Sequence, residues 1–558
     1  MTHGRRPPAP SRPSPRRRRS ARRVGALALA GGLSLFGGHG HAAPPTDPAS
    51  SSSAPAGDFQ SLLDAWELDA AMAVLDAAPE SPEREVKRGV VHVYAARYAE
   101  AKEVLATVLA AKSLENPSAE AQARHYLALA TGALNALGEQ PVIERREGSP
   151  FLAVFAAEKD RLLAPYFFDA MDAAYDSVGD AFGVRPTAPI RFEFLDDTAK
   201  LAMVTPLELD AIYTTGTIGI TKYKRVMMVS PRVMLYGYGW LDAAVHEYVH
   251  YVVTLRTRDR APVWMQEGLA KYFEQSWRRP GPPPLRDEVA YLLHRAIETD
   301  TLVTLEEMSP SIAMLPSRER AALAYAEVET MIGLLVRRRG PEGLAKLLDA
   351  VRDGADAKQA FSAAWGDDFE AFLASWKEDT YRATSKAREG ELEGPTFARE
   401  GEAGAAETPA VDPSLFGDVF SHLGGGKARQ HARLGVLLTL REHPEAAILE
   451  YERARAADPK YRNDPALAKR LGKLYLDAGD AEKAAPLLRI AGADDPEDPN
   501  VAAAEGRALL RSGDREGARA ALQRALRVNP YIPSVHCDLA QLATDPERAR
   551  FETSHCSE

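Results

Sequence analysis

The chain has 558 residues, a formal net charge of −10 and only two cysteines. A chain this long favours several domains over one and has ample length to bury cores. Its acidic balance argues against nucleic acid as a partner, because neutralising phosphates requires the opposite sign.

Residues 1–23 carry nine arginines and no acid, and Val24 to Gly38 is an apolar stretch followed by His41-Ala42-Ala43. That is the n-region, h-region and small-residue cleavage site of an exported protein, and it is too short for a comfortable membrane span. Cleavage is expected near Ala43, giving a signal peptide over 1–43, with an uncleaved signal anchor as the alternative. Losing nine arginines takes the net charge from −10 to about −19. Residues 44–57, rich in Ser, Pro and Ala, read as a flexible lead. The expected location is the periplasm, the cell envelope or the extracellular space, with no integral membrane span after cleavage.

Residues 58–140 are alanine-rich and helical. Trp66 to Leu75 and Tyr98 to Leu109 each read as the second helix of a degenerate helical repeat, with Ala71 and Ala101 in similar places; an unrelated helical bundle is the alternative. Strand-like runs follow at Ile190 to Leu195, Thr217 to Ile220 and Val226 to Val229, bounded by Pro, Gly or Asp. The pattern does not say which of them is a sheet edge. Tyr236-Gly237-Tyr238-Gly239-Trp240 reads as a glycine-bearing turn with packed rings, or as a cleft lining.

The run His246-Glu247-Tyr248-Val249-His250 comes next. On a helix, residues four apart share a face, so both histidines can close on one metal ion from consecutive turns. The apolar flanks, Leu241 to Val245 and Tyr251 to Val253, fit a buried helix whose polar stripe is the motif itself. Sixteen residues separate His250 from Glu267, which stands in Trp264-Met265-Gln266-Glu267-Gly268-Leu269-Ala270, far enough for a turn and a second helix to bring it back. Two imidazoles and a carboxylate leave a zinc ion one open position, the arrangement of catalytic sites. Glu247 then has the place of a general base and acid. The bland alternative is two buried histidines and an ordinary helix acid.

These residues resemble the gluzincin metallopeptidases, in particular the short peptidase MA-like domains that accompany helical repeats. The resemblance covers about residues 150–382 and extends to Ala324-Tyr325-Ala326, Arg339-Gly340, Trp365-Gly366 and Trp376. It implies an α+β catalytic domain with a small mixed sheet and active-site helices. It also implies one Zn2+ per chain on His246, His250 and Glu267, with Glu247 as catalytic base and a substrate backbone held along a sheet edge. In thermolysin-like relatives the residue four after the ligand glutamate is usually acidic and supports a histidine; here it is Lys271, which accepts no hydrogen bond, so Glu274 is the candidate substitute. Tyr325 is the candidate donor to the tetrahedral oxyanion, with His294 as the other choice. Endopeptidase and exopeptidase action both stay open.

Residues 386–413, dense in Gly, Glu, Ala and Pro, read as a linker. Beyond it Gly472, Gly479, Ala484 and Pro496 recur as Gly506, Gly513, Ala518 and Pro530, one 34-residue step on. This resembles tetratricopeptide repeats, three with a partial last helix from Pro533, over 414–548. Residues 549–558 read as a C-terminal tail, and Cys537 and Cys556 as unremarkable thiols near a frayed end that are close enough to pair in an oxidising compartment. The chain thus reads as an exported zinc peptidase flanked by all-α repeats that recruit protein substrates or partners. The alternative is a catalytically silent, metal-binding repeat scaffold of the cell envelope.

Overall fold

A computed structural model describes residues 58–389, 420, 423 and 426–557. The signal segment, the lead and most of the linker lie outside the described residues.

The N-terminal region folds into helices Phe59–Asp64, Leu68–Ala77, Pro82–Tyr94, Tyr98–Ala111 and Pro117–Leu137. Ser81 and Asn116 cap two of them, each followed by a proline whose missing N–H would have been an orphan in any case. The third and fourth helices cross where Gly89 faces Leu105; a Cβ on Gly89 would lie 2.4 Å from Leu105 Cγ.

The C-terminal region repeats that crossing. Its helices are Lys427–Leu440, Pro444–Ala456, Pro465–Asp477, Ala481–Asp494, Pro499–Arg511, Arg515–Val528, Pro533–Leu542 and Pro546–Ser554. Gly435 meets Tyr451, Gly472 meets Leu488 and Gly506 meets Leu522, each pair sixteen residues apart, as are Gly89 and Leu105. A small residue at one fixed position lets each helix pair close, so one spacing rule serves both ends of the chain. Asp464 and Asp498, and likewise Asp480 and Asp514, cap successive helices one 34-residue step apart.

Two expectations for the C-terminus need correction. Residues read as a frayed tail form a further helix, Pro546–Ser554, capped by Asp545 and carrying the buried Glu552. Cys537 and Cys556 are joined in a disulfide that ties the end of this helix to the preceding one. A helix of nine residues shows little periodicity in sequence; its stability comes from that crosslink and from Glu552, held by His536, Tyr166 and Arg548.

Between the two helical regions lies a five-stranded sheet: β1 (Val142–Arg145), β2 (Phe151–Phe155), β3 (Ile190–Leu195), β4 (Gly219–Lys222) and β5 (Arg225–Val229), in the order β1-β2-β3-β5-β4. The three inner strands run parallel, and the edge strands β1 and β4 are antiparallel to their neighbours. The sequence pattern missed β1 and β2. Every residue of β2 is buried, so it reads as a short unbroken apolar run rather than an alternating one. With β1 at 142–145, the sheet starts ahead of residue 150. β4 starts at Gly219, since Gly216 with φ +73° closes the preceding helix.

Helices Ala164–Phe182 and Trp240–Thr257 pack side by side against the sheet, with Phe151, Phe167, Phe192 and Tyr248 meeting edge to face. Helices Val263–Phe273, Asp287–Thr299, Arg318–Arg352 (kinked at Gly340), Ala357–Trp365 and Phe369–Ala383 complete the region. Both flanks dock on it. Trp66 lies 4.8 Å from Tyr251 between ring centroids, and the Trp240 indole donates to the Leu526 carbonyl at 2.9 Å. The helix Trp240–Thr257 is therefore gripped near its two ends by different regions of the chain. Among the described residues no helix is long and apolar enough to cross a membrane.

Candidate active site

His246, Glu247 and His250 sit in the middle of the helix Trp240–Thr257, all three buried. That helix ends with Arg258 and Asp259 at positive φ, which turns the chain so that Val263–Phe273 returns across it. The second helix approaches closely because Gly268 faces the Val328 carbonyl; a Cβ there would lie 2.9 Å from that oxygen. Glu267, next to Gly268, is delivered to the histidines.

The imidazole Nε2 atoms of His246 and His250 are 3.2 Å apart, and the Glu267 carboxylate lies 3.4 Å from the first and 3.7 Å from the second. Among the described residues this is the one group of three or more His, Cys, Asp and Glu side chains with ligand atoms close enough to hold a metal ion. Tetrahedral zinc with bonds of about 2.0–2.1 Å needs ligand atoms roughly 3.3–3.4 Å from one another, which these spacings approach. Glu267 Oε2 is buried and lacks a hydrogen bond, a state that a cation relieves. The residues present fit zinc.

The electrostatics agree with that fit. Burial alone would lower the His246 pKa, but Glu267 and Glu274 overcome it and push it up to about 9. His250 is driven well below its usual value by burial, and then by the charge of His246.

Lys271 does not touch His246. Glu274 does: its Oε2 lies 3.1 Å from His246 Nδ1, and Lys271 Nζ reaches both Glu274 oxygens at 2.8 and 2.9 Å. The carboxylate that supports the histidine thus comes three residues later than in thermolysin-like relatives, and the lysine is its counter-ion.

Glu247 is pushed up to about 7, first by burial, with His246 and Thr221 opposing the rise. A base near neutrality is suited to taking and returning a proton. Two residues on β4 shape its place, and sequence reasoning missed both. The Thr221 hydroxyl lies 2.9 Å from Glu247 Oε2 and 2.7 Å from the Glu247 carbonyl oxygen. Gly219, on the same strand face, would put a Cβ 3.1 Å from Glu247 Oε1. The i, i+2 pair Gly219 and Thr221 in a short strand was the available signal; its contact with Glu247 was not readable.

Tyr325 is buried, and its pKa is raised well above the usual value by burial and then by the charges of Glu267 and Glu247. Its hydroxyl is therefore within electrostatic reach of Glu267 and Glu247. His294 is engaged elsewhere, stacked on Tyr381 and paired with Thr384. The aromatic turn is mostly structural: Tyr238 and Trp240 are buried, and Tyr236 is exposed.

A histidine pair and a returning glutamate thus meet on crossed helices beside a small mixed sheet. The chain carries a Peptidase MA superfamily domain, matched over residues 172–382, and a tetratricopeptide repeat, matched over residues 476–536. Among solved structures, a MamA D159K mutant is similar at 22% identity over 25% of this chain and 78% of its own, with a TM-score of 0.21. Yeast LTA4 hydrolase is similar at 11% identity over 75% of this chain and 67% of its own, with a TM-score of 0.25. No curated protein matches the chain.

Proposed function

We propose that this protein is an exported, zinc-dependent peptidase whose helical repeats recruit protein substrates or partners. The observation that carries the reading is the convergence of His246, His250 and Glu267 beside a buried Glu247 held near neutrality. Zinc held by those three side chains would supply a Lewis acid for the scissile carbonyl and the attacking water. Glu247 takes the proton from that water and passes it to the leaving amine, while Thr221 fixes one of its oxygens. The Tyr325 hydroxyl is the donor toward the developing oxyanion. β4, the edge strand next to the histidine helix, is the strand against which a substrate backbone would pair. The arginine-rich, apolar start of the sequence supports export, and the Cys537–Cys556 disulfide suits an oxidising compartment.

The test is zinc content together with hydrolysis of an unbiased peptide library, comparing the protein from Pro44 onward with its Glu247→Gln form. One equivalent of zinc in both and cleavage only in wild type is the expected result, with a loss on the order of 10²-fold or more. Zinc without cleavage in either would assign the domain to a metal-binding scaffold instead.

A further inference from the structure

We propose that the C-terminal repeats set the position of the histidine helix, and that Trp240 is a positioning residue acting through the Leu526 carbonyl. The proposal rests on the zinc-peptidase reading above.

The helix Trp240–Thr257 starts at Gly239 without any capping side chain. Its start is fixed instead by the repeat helix Arg515–Val528. Trp240 Nε1 donates to the Leu526 carbonyl at 2.9 Å, and the Tyr238 backbone N–H donates to the Val528 carbonyl at 3.0 Å. Both acceptors belong to the last turn of the repeat helix, whose carbonyls have no partner within their own helix. The C-terminus of one helix thus receives donors from the N-terminus of the other, a head-to-tail arrangement that the two helix dipoles also favour.

The approach is close. Gly237 stands at φ +77°, and a Cβ there would lie 2.1 Å from the Val528 carbonyl oxygen. Tyr238 is pinned from the other side, its hydroxyl donating to the Val229 carbonyl at 2.5 Å. The turn before the histidine helix is therefore clamped between β5 and the repeats. The repeat residues concerned lie far beyond residue 382, where the matched peptidase region ends.

His246 lies six positions beyond Trp240, about 9 Å along a helix. A helix is stiff over that distance, so an axial slip at Trp240 reaches His246 and Glu247 almost undiminished. Zinc ligand distances tolerate about 0.2 Å, and a misplacement of about 1 Å can cost on the order of 10²-fold in rate. One hydrogen bond from outside the peptidase region can therefore matter to its chemistry.

Trp240→Phe in the otherwise intact protein removes the donor and keeps an aromatic ring. In the metal-free protein, amide exchange over residues 240–247 should quicken several-fold while that of 164–182 stays as in wild type. Zinc affinity should weaken by about tenfold, the lower end of what lost support around a ligand costs. kcat should fall by about the same factor with KM within about twofold. Gly237→Ala, which pushes the Val528 carbonyl away, should act in the same direction and serves if the first variant folds poorly. A variant with a lower Tm but unchanged exchange, zinc affinity and kcat would overturn the proposal and leave Trp240 as a packing residue. A wild-type protein that takes up no zinc would overturn both this proposal and the peptidase reading. A wild type that binds and cleaves, matched by both variants, would overturn the positioning role alone.

Discussion

On the N-terminal side, Tyr98 donates to Glu193 of β3 at 2.5 Å, and Arg191 and Arg225 lie 2.6 and 3.6 Å from the same carboxylate. On the C-terminal side, Tyr531 donates to Asp160 at 2.6 Å, with Ser230 at 2.9 Å and Arg232 at 2.8 Å. Each helical flank thus brings a tyrosine hydroxyl to a fully buried carboxylate of the peptidase region, whose own arginines supply the opposite charge. The surroundings differ. Glu193 and Arg225 are almost completely enclosed, and Arg225 also donates to the Val93 carbonyl of the flank, whereas the Arg232 side chain keeps 30% of its surface in solvent. The N-terminal joint depends on a desolvated ion pair. The C-terminal joint adds main-chain bonds to the start of the histidine helix, so it is the one placed to influence the site.

The largest test of this contrast is Glu193→Gln, which leaves the buried Arg225 and the half-buried Arg191 without a full counter-charge. It should cost about 3–5 kcal/mol, the usual price of breaking one side of a buried pair, read by urea denaturation. A loss under about 1 kcal/mol would mean that the enclosed pair adds little beyond what an exposed one does.

Next comes a matched pair of deletions. Tyr98→Phe and Tyr531→Phe each remove one hydrogen bond to a charged group, worth about 1.5–3 kcal/mol. Tyr98→Phe should sit at the upper end, because Asp160 keeps Ser230 and the half-exposed Arg232. Equal losses would show that enclosure is not what separates the joints.

The smallest effect concerns pH. Burial favours the neutral form of Glu552, but hydrogen bonds from His536 and Tyr166 and the charge of Arg548 prevail and hold its pKa below 4.5. A carboxylate depressed on folding stabilises above its unfolded pKa, and that contribution is lost as pH falls through the folded value. Wild type should therefore lose stability below about pH 4.5 more steeply than Glu552→Gln, as thermal unfolding across pH 3–6 would reveal. Parallel acid limbs would remove Glu552 from the C-terminal joint.

Much of the fold could be read from local rules. The pairing of His246 with His250 follows from helical spacing, and the repeats follow from a 34-residue step in small residues and caps. β2 was missed because a buried parallel strand carries no alternation to detect. The last helix was missed because its stability comes from a disulfide and from Glu552, both contacts with other elements. At the site, Lys271 marked a departure in the sequence, yet nothing in the sequence showed that it would become the counter-ion of Glu274. Tyr325 was the candidate oxyanion donor and His294 the alternative, and only packing stacked His294 on Tyr381 while Tyr325 stayed within electrostatic reach of Glu267 and Glu247.

By itself the sequence determined which residues could share a helix face, where helices begin and how repeats recur, because those properties depend on neighbours within a few residues. The tertiary structure decided that Glu267 returns to the histidines, that Gly219 and Thr221 frame Glu247, and that Leu526 and Val528 hold the start of the histidine helix. Those contacts join groups about 17 to nearly 300 residues apart. Their energies depend on close approach and on exclusion of water, which exist only once the elements have packed.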